Sequence, residues 1–346
     1  MDFPPLARKN IRGLKPYHSK EMPCSVKLDA NESPYPPNVS VGPAFAGNLN
    51  RYPDPEAKEL KKAIVKGLGV GVDNILTGNG SDELIYYLII TFGGPVLCPV
   101  PTFSMYEILS RAVGEKFTGI PLDRDFDLDT DKMLAAIKKH RPKLVFLSSP
   151  NNPTGNCFSP DRILRIVEAA GGVVVVDEAY QPFSSEKGFM PLLKDYKNLA
   201  ILRTLSKVGF AALRVGFLAA DRDLIREVNK VRLPFNLNAI SQAMAAQALG
   251  DRKRIRVVVK LIASERERLF NALQQIEGVT PYPSEANFIL MKVVDPKRIY
   301  KQLLRSGVLV RNLDNLIKGA LRVTIGTPGE NTIFLEALNK AMGRKR

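Results

Sequence analysis

The sequence predicts an α/β protein: a layered unit of parallel strands and helices, followed by a smaller α+β unit. Three observations predict it. Between residues 74 and 220, short apolar runs alternate with stretches of helical periodicity, the pattern of a sheet covered by helices. Val173-Val174-Val175-Val176 is apolar on both faces, as a strand enclosed on both sides requires. From Asp251 to Glu277 the pattern becomes long, charged and helical, and it stops at Gly278.

The first thirty residues carry prolines and basic residues with little periodicity, so they are expected to form an arm packing on the small domain. Strands are predicted at Asn74–Thr77, Pro95–Cys98, Leu144–Ser148, Val173–Val176, Leu199–Leu202 and Val215–Ala220. Helices are predicted at Asp82–Phe92, Phe103–Val113, Lys132–Lys139 and Pro160–Ala170. Beyond the long helix come a strand (Asn287–Val293), a helix (Pro296–Ser306), two strands around Arg311 and Arg322, and a helix through Thr332–Met342. The expected division is an arm over 1–30, a large domain over 31–250 and a small domain over 251–346.

Composition narrows the function. With 346 residues, 45% hydrophobic and 25% charged, the chain can bury a sizeable core. Its longest apolar stretches run about ten residues, short of the roughly 18 that span a bilayer. The N-terminus shows no apolar h-region of a secretory signal. Three scattered cysteines and two histidines disfavour disulfides and a metal centre, and they suit the cytosol. The net charge of +15 reads as a solvated basic surface with a bias toward anions. Its densest runs, Arg252-Lys253-Arg254-Arg256 and Arg344-Lys345-Arg346, are not interleaved with aromatics as a nucleic-acid platform would be.

Ligands of open α/β sheets bind at the carboxyl ends of strands. After Asn74–Thr77 comes Gly78-Asn79-Gly80-Ser81-Asp82-Glu83 opening a helix. It is a phosphate-cradle candidate, equally a Ser81-capped turn, and it fits neither GxxxxGK[ST] nor GxGxxG. After Pro95–Cys98 comes Pro101-Thr102-Phe103-Ser104-Met105-Tyr106, with an aromatic able to stack on a flat group. Leu144–Ser148 leads to a stiff loop with Asn151 and Asn152. Val173–Val176 leads to Asp177-Glu178-Ala179-Tyr180, and an acid there is costly to bury without a cationic partner. Leu199–Leu202 leads to Thr204, Ser206 and Lys207, with Arg214 seven residues on. Together they suit a phosphorylated pyridine aldehyde held on a lysine.

The segments SSPNNPTG, DEAY and TLSK, with LRVGF behind them, resemble the fold-type I pyridoxal-phosphate aminotransferases. Further segments (LKPY, DANESPYPP, RYPDP, GNGSDELI, PTFSMY, LRVTIGT) resemble the histidinol-phosphate aminotransferases in that family's order, over about residues 8 to 340. The resemblance implies a large domain with a mostly parallel seven-stranded sheet sandwiched by helices, a smaller α+β domain, pyridoxal 5′-phosphate as cofactor, and a homodimer. It implies transfer of an amino group between histidinol phosphate and glutamate or 2-oxoglutarate.

The same resemblance implies roles. Lys207 would carry the cofactor as a Schiff base and move the substrate proton. Asp177 would pair with the pyridine N–H. Tyr180 and Asn152 would bind the ring's 3′-oxygen, and Phe103 would stack on the ring. Gly80, Ser81, Asp82, Ser206 and Arg214 would surround the phosphate, with Thr204 close by. Tyr52 would reach the phosphate bound to the other subunit. Arg322 would grip the α-carboxylate of glutamate and, in the same place, the phosphate of histidinol phosphate. Tyr17, Asn31 and Arg311 would lie around the rest of the substrate. In Leu321-Arg322-Val323-Thr324-Ile325, alternation independently sets Arg322 opposite the apolar residues. Two departures stand out: Lys207 and Arg214 are seven apart where many relatives have eight, and the stacking aromatic is Phe where Tyr is frequent. The cofactor motifs equally fit a threonine-phosphate decarboxylase or an aromatic or broad-range aminotransferase. A ligand-sensing nucleic-acid-binding regulator is the non-enzyme alternative, and no separate module for it is visible.

Overall fold

The structure, a computed structural model, describes residues 4–14, 22–37, 39 and 50–343. Strand β1 (Val26–Leu28) belongs to the second of two sheets. The first sheet takes the long apolar runs: β2 (Ile75–Asn79), β3 (Val96–Val100), β4 (Phe117–Pro121), β5 (Leu144–Ser148), β6 (Val173–Asp177), β7 (Leu199–Thr204) and β8 (Val215–Ala220). Their order is β2-β8-β7-β6-β5-β3-β4. All run parallel except β8, which is antiparallel to both neighbours. Its reversal matters for the site: the residue that opens β8 lies at the rim where the other strands end.

The four valines of β6 show why this sheet is central. Val174 and Val176 pack into one apolar layer with Leu147 and Ile201, while Val173 and Val175 pack into the other with Phe146 and Leu202. Each fully buried valine contributes about 1.5–3 kcal/mol, and alternation sends it to either side. The layers are helices α2 (Lys58–Val65), α3 (Ser81–Phe92), α4 (Met105–Val113), α5 (Thr130–His140), α6 (Pro160–Ala169), α7 (Arg222–Asn229) and α8 (Ala239–Gly250), with the short α1 (Lys9–Arg12) outside them against α4.

Helix α9 (Arg252–Gln274) follows, its first turn capped by the Asp251 side chain accepting from Arg254 N. Ile262, Arg266, Leu269 and Leu273 form its buried stripe, at helical spacing. Arg266 donates to Phe183 O and Ala286 O, 3.1 Å each, joining the loop after β6 to the entry of the second sheet. That sheet has β9 (Val279–Pro281), β10 (Phe288–Val293), β11 (Val308–Asn312) and β12 (Ala320–Thr324), in the order β1-β11-β12-β10-β9. Helices α10 (Pro296–Arg305) and α11 (Pro328–Ala341) cover it. The N-terminal segment divides between the two sheets. β1 pairs parallel with β11, whereas Asn10 of α1 donates to Arg111 O and Ala112 O of α4.

Several elements differ from expectation. β4 was not anticipated, because Gly119 and Pro121 break its pattern; it is an edge strand, where both are tolerated. Three-residue β1 is too short to show alternation. α2, α7 and α8 were also not anticipated. Among the described residues, no helix is long and apolar enough to cross a membrane.

Candidate active site

The anion end forms where β2 hands over to α3. Gly80, at φ +78, is the N-cap, and Ser81 is the first helical residue, not the cap. A side chain at Gly80 would collide with the Arg214 guanidinium, and a Cβ on Gly216 would lie 2.6 Å from Ser81 N. Glycine at both places lets strand, helix terminus and guanidinium converge. First-turn N–H groups of a helix lack intrahelical acceptors and draw anions. Arg214 donates from Nη1 to Ser206 Oγ (3.4 Å) and from Nη2 to Asp82 Oδ2 (3.1 Å). Thr204 Oγ1 donates to Ser206 Oγ (2.9 Å) and accepts from Ser206 N (3.1 Å). The seven-residue spacing is bridged by two short 3-10 turns, Ser206–Val208 and Ala211–Leu213. Arg214 then takes a left-handed φ of +53, its carbonyl accepting from Gly80 N at 2.7 Å.

The acid end is Asp177, the last residue of β6 and 3% exposed. Tyr106 Oη donates to its Oδ2 (2.6 Å) and Ala179 N to its Oδ1 (3.0 Å). Burial pushes the carboxyl up to about 6, while the two hydrogen bonds and the Lys207 charge pull the other way.

Lys207 sits between these ends and lines two cavities. One, of about 90 Å³, is lined also by Ser81, Asp82, Ser148, Asp177, Ala179, Thr204, Ser206 and Arg214. The other, of about 650 Å³, is lined also by Asn31, Thr102, Leu309, Arg311, Leu313, Leu316 and Arg322. Phe103, Asn152 and Tyr180 line both. An amine shared by a small pocket and a larger one can bond a group in the first while meeting a second molecule in the other.

The larger cavity is held by long-range contacts. Asn31 is 1% exposed, at a left-handed φ of +55. It donates from Nδ2 to Tyr180 Oη (2.9 Å) and from N to Thr324 Oγ1 (2.9 Å), and its carbonyl accepts from Asn287 Nδ2 (3.0 Å). Its amide thus serves Tyr180 at the pocket wall. Arg322 donates from Nη1 to Asn152 Oδ1 (2.5 Å) and from Nη2 to Asp29 O (2.8 Å), over the Phe288 ring at 5.0 Å. Arg311 and Arg322 are directly opposed partners of β11 and β12. Opposed residues share a face, and like charges there are unfavourable unless an anion lies between them.

Residues 25–338 match the family model for aminotransferase class I and II. The chain belongs to this family. The histidinol-phosphate aminotransferase of Aquifex aeolicus is 42% identical to it, over 96% of this chain and 97% of that one. The histidinol-phosphate aminotransferase 2 of Nitrosococcus oceani is 41% identical, over 98% and 97%. A solved histidinol-phosphate aminotransferase from Sinorhizobium meliloti, in complex with pyridoxal-5′-phosphate, superposes with a TM-score of 0.84 at 25% identity, covering 93% of this chain and 92% of that one.

The donor set of this aminotransferase fits pyridoxal phosphate. Arg214, Ser206 and the α3 N-terminus offer a phosphate site, Asp177 an acceptor for a ring N–H, and Lys207 an amine for an aldehyde. The glycine clearance at 80 and 216 is what a phosphate pressed against a helix terminus needs. Of the expected residues, Gly80 borders this cradle, and all the others except Tyr17 and Tyr52 line one cavity or both. Tyr17 lies outside the described residues. Tyr52 is 81% exposed and stacks on Phe235, ring centroids 4.5 Å apart. The aminotransferase motifs also hold two residues given no role from sequence. Tyr106 grips Asp177. Glu178, 1% exposed, accepts from Arg203 Nε (2.8 Å) and from Phe189 N (2.5 Å). The β6–β7 register, Asp177 against Leu202, sets Glu178 beside Arg203; without that register the pair has no signal.

Proposed function

We propose that the protein transfers an amino group between histidinol phosphate and glutamate, in either direction through their keto partners, with pyridoxal phosphate held on Lys207. The observation that carries this reading is Lys207 lining both cavities, with the opposed pair Arg311 and Arg322 in the larger one. The relatives named above, 42% and 41% identical over nearly their whole lengths, favour the same substrate.

When bound, pyridoxal phosphate supplies an aldehyde for the amino group and a protonated ring that draws off electrons. Arg214, Ser206, Thr204 and the first turn of α3 would bind its phosphate. The Asp177 carboxylate would accept from the ring N–H, Tyr180 and Asn152 would orient the ring's oxygen, and Phe103 would cover a face. Lys207 Nζ takes and returns the proton of the substrate's α-carbon. Arg322 binds the anion common to both substrates, the α-carboxylate of one and the phosphate of the other. Arg311, with Tyr17, lies toward the distal end. The test is incubation with histidinol phosphate and 2-oxoglutarate: glutamate should form, and faster than with threonine phosphate or aromatic amino acids in place of histidinol phosphate. No glutamate from histidinol phosphate would reject the substrate.

The active unit is a homodimer acting in the cytosol, with Tyr52 reaching toward the phosphate held by the other subunit. Exposed Tyr52, Phe235 and Leu233 offer an apolar surface for a second copy, and the cysteines are free. Mixing Tyr52→Phe with Lys207→Ala subunits should restore part of the activity, because one site of each mixed dimer escapes both defects. A monomer fully active at assay concentration would contradict this.

A further inference from the structure

We propose that Tyr106 is a positioning residue, whose buried hydroxyl holds Asp177 as an oriented carboxylate and whose ring ties that acid to the aromatic plate Phe103. The proposal rests on the function given above, in which Asp177 meets the cofactor ring. Tyr106 is the second residue of α4 and 0% exposed. Its ring stacks on Phe146 of β5, centroids 4.8 Å apart at 9°, and meets Phe103 edge-on at 5.6 Å and 88°. Its hydroxyl donates to Asp177 Oδ2 at 2.6 Å, while Ala179 N takes Oδ1. An ionised carboxylate offers about four lone-pair sites, so these two donors leave capacity on an acid that lines the smaller cavity. One side chain therefore fixes both the acid that would meet the ring's edge and the aromatic that would cover its face.

Tyr106 does not act as a proton source. Burial, reinforced by the Asp177 charge, pushes its phenol well above the ordinary value. It stays a donor throughout the working pH range. The other groups around Asp177 are Lys207 after β7 and Asp82 of α3, the latter paired with Arg214. Near Tyr106 are Ser148 of β5 and the Cys98 thiol of β3, which burial keeps neutral.

Asp177 has an ordinary value of 3.8 and rises to about 6 in the fold. Its contribution to stability is full below 3.8 and is lost as pH rises through about 6. A hydrogen bond to the charged form opposes that loss. Removing it should therefore cost little at pH 4, where the acid holds its proton, and more at pH 8.

The test is a double-mutant cycle of Tyr106→Phe and Asp177→Asn in the full chain, stripped of pyridoxal phosphate and loaded with it. Phenylalanine keeps the stacked ring. In the stripped chain, Tyr106→Phe should raise the unfolding constant about tenfold more at pH 8 than at pH 4, the equivalent of one pKa unit. With Asp177→Asn already present, its cost should not change with pH. In the loaded chain, Tyr106→Phe should weaken pyridoxal phosphate about tenfold, roughly one charge-assisted hydrogen bond, and should add nothing to Asp177→Asn. Equal cost at both pH values, the same pH dependence in the Asp177→Asn background, or failure to fold at either pH would overturn the proposal. If pyridoxal phosphate never loads, the proposed function fails, yet the stripped-chain cycle still decides whether Tyr106 governs Asp177.

Discussion

The two ends of the site are built differently. The proposed cofactor end draws on one sheet: Ser81, Phe103, Asn152 and Lys207 follow the carboxyl ends of β2, β3, β5 and β7, Asp177 ends β6, and Arg214 directly precedes β8 at the same rim. The proposed substrate end is assembled across both sheets. Asn31 bonds to Thr324, 293 positions away, and Arg322 to Asn152, 170 positions away. The first end is a property of a strand rim, preorganised by a close-packed core. The second depends on how the smaller sheet meets the larger. Damage at the cofactor end should thus be chemical and severe, and damage at the substrate end graded and dependent on substrate.

The largest expected effect is at Lys207. Lys207→Ala should abolish turnover with the fold intact by circular dichroism, and borohydride should fix the cofactor only on the peptide carrying Lys207. A label on another lysine breaks the comparison at its root. Next, Asp177→Asn should lose several orders of magnitude in kcat yet still bind cofactor, because the ring loses its electron sink while the phosphate grip remains; near-normal turnover would refute the role. At the substrate end, Arg322→Ala should slow both half-reactions by the worth of a buried charge-assisted bond, about 1.5–3 kcal/mol, or one to two decades. Single-turnover traces of the cofactor band measure each half-reaction, and an untouched one would sink the shared-anion role. The smallest effect is expected for Arg311→Ala, falling harder on glutamate than on histidinol phosphate if Arg311 meets the γ-carboxylate. Equal losses would place Arg311 with Arg322.

The same division governs what could be read from sequence. β5 and β8 were foreseen to the residue, since both are nearly continuous apolar runs bounded by charged, serine or proline residues. The residues at their rim were legible because each chemical type directly follows its strand. β4 was not, because edge strands tolerate Gly and Pro that erase the pattern. The bond between Tyr106 and Asp177 was invisible for another reason: a tyrosine early in a helix looks like core until the helix is laid on the sheet. Asn31 was expected near the substrate. Its amide serves Tyr180, and only the meeting of the two sheets reveals that.

The pairing of β1 with β11 sets an order of events during synthesis. Ser25 hydroxyl donates to Gly307 O, 282 positions away, and at roughly 5–20 residues per second that partner emerges about 15–60 s later. The residues that one subunit lends to its own anion and acid sites, from Gly80 to Arg214, lie between β2 and β8 and are made before β11. The nascent chain can therefore close its anion and acid sites while β1, and Asn31 just beyond it, still wait for β11 and β12. Long-range closure is the slow step of folding, so the rim that carries Lys207 can assemble before the wall that carries Arg311 and Arg322.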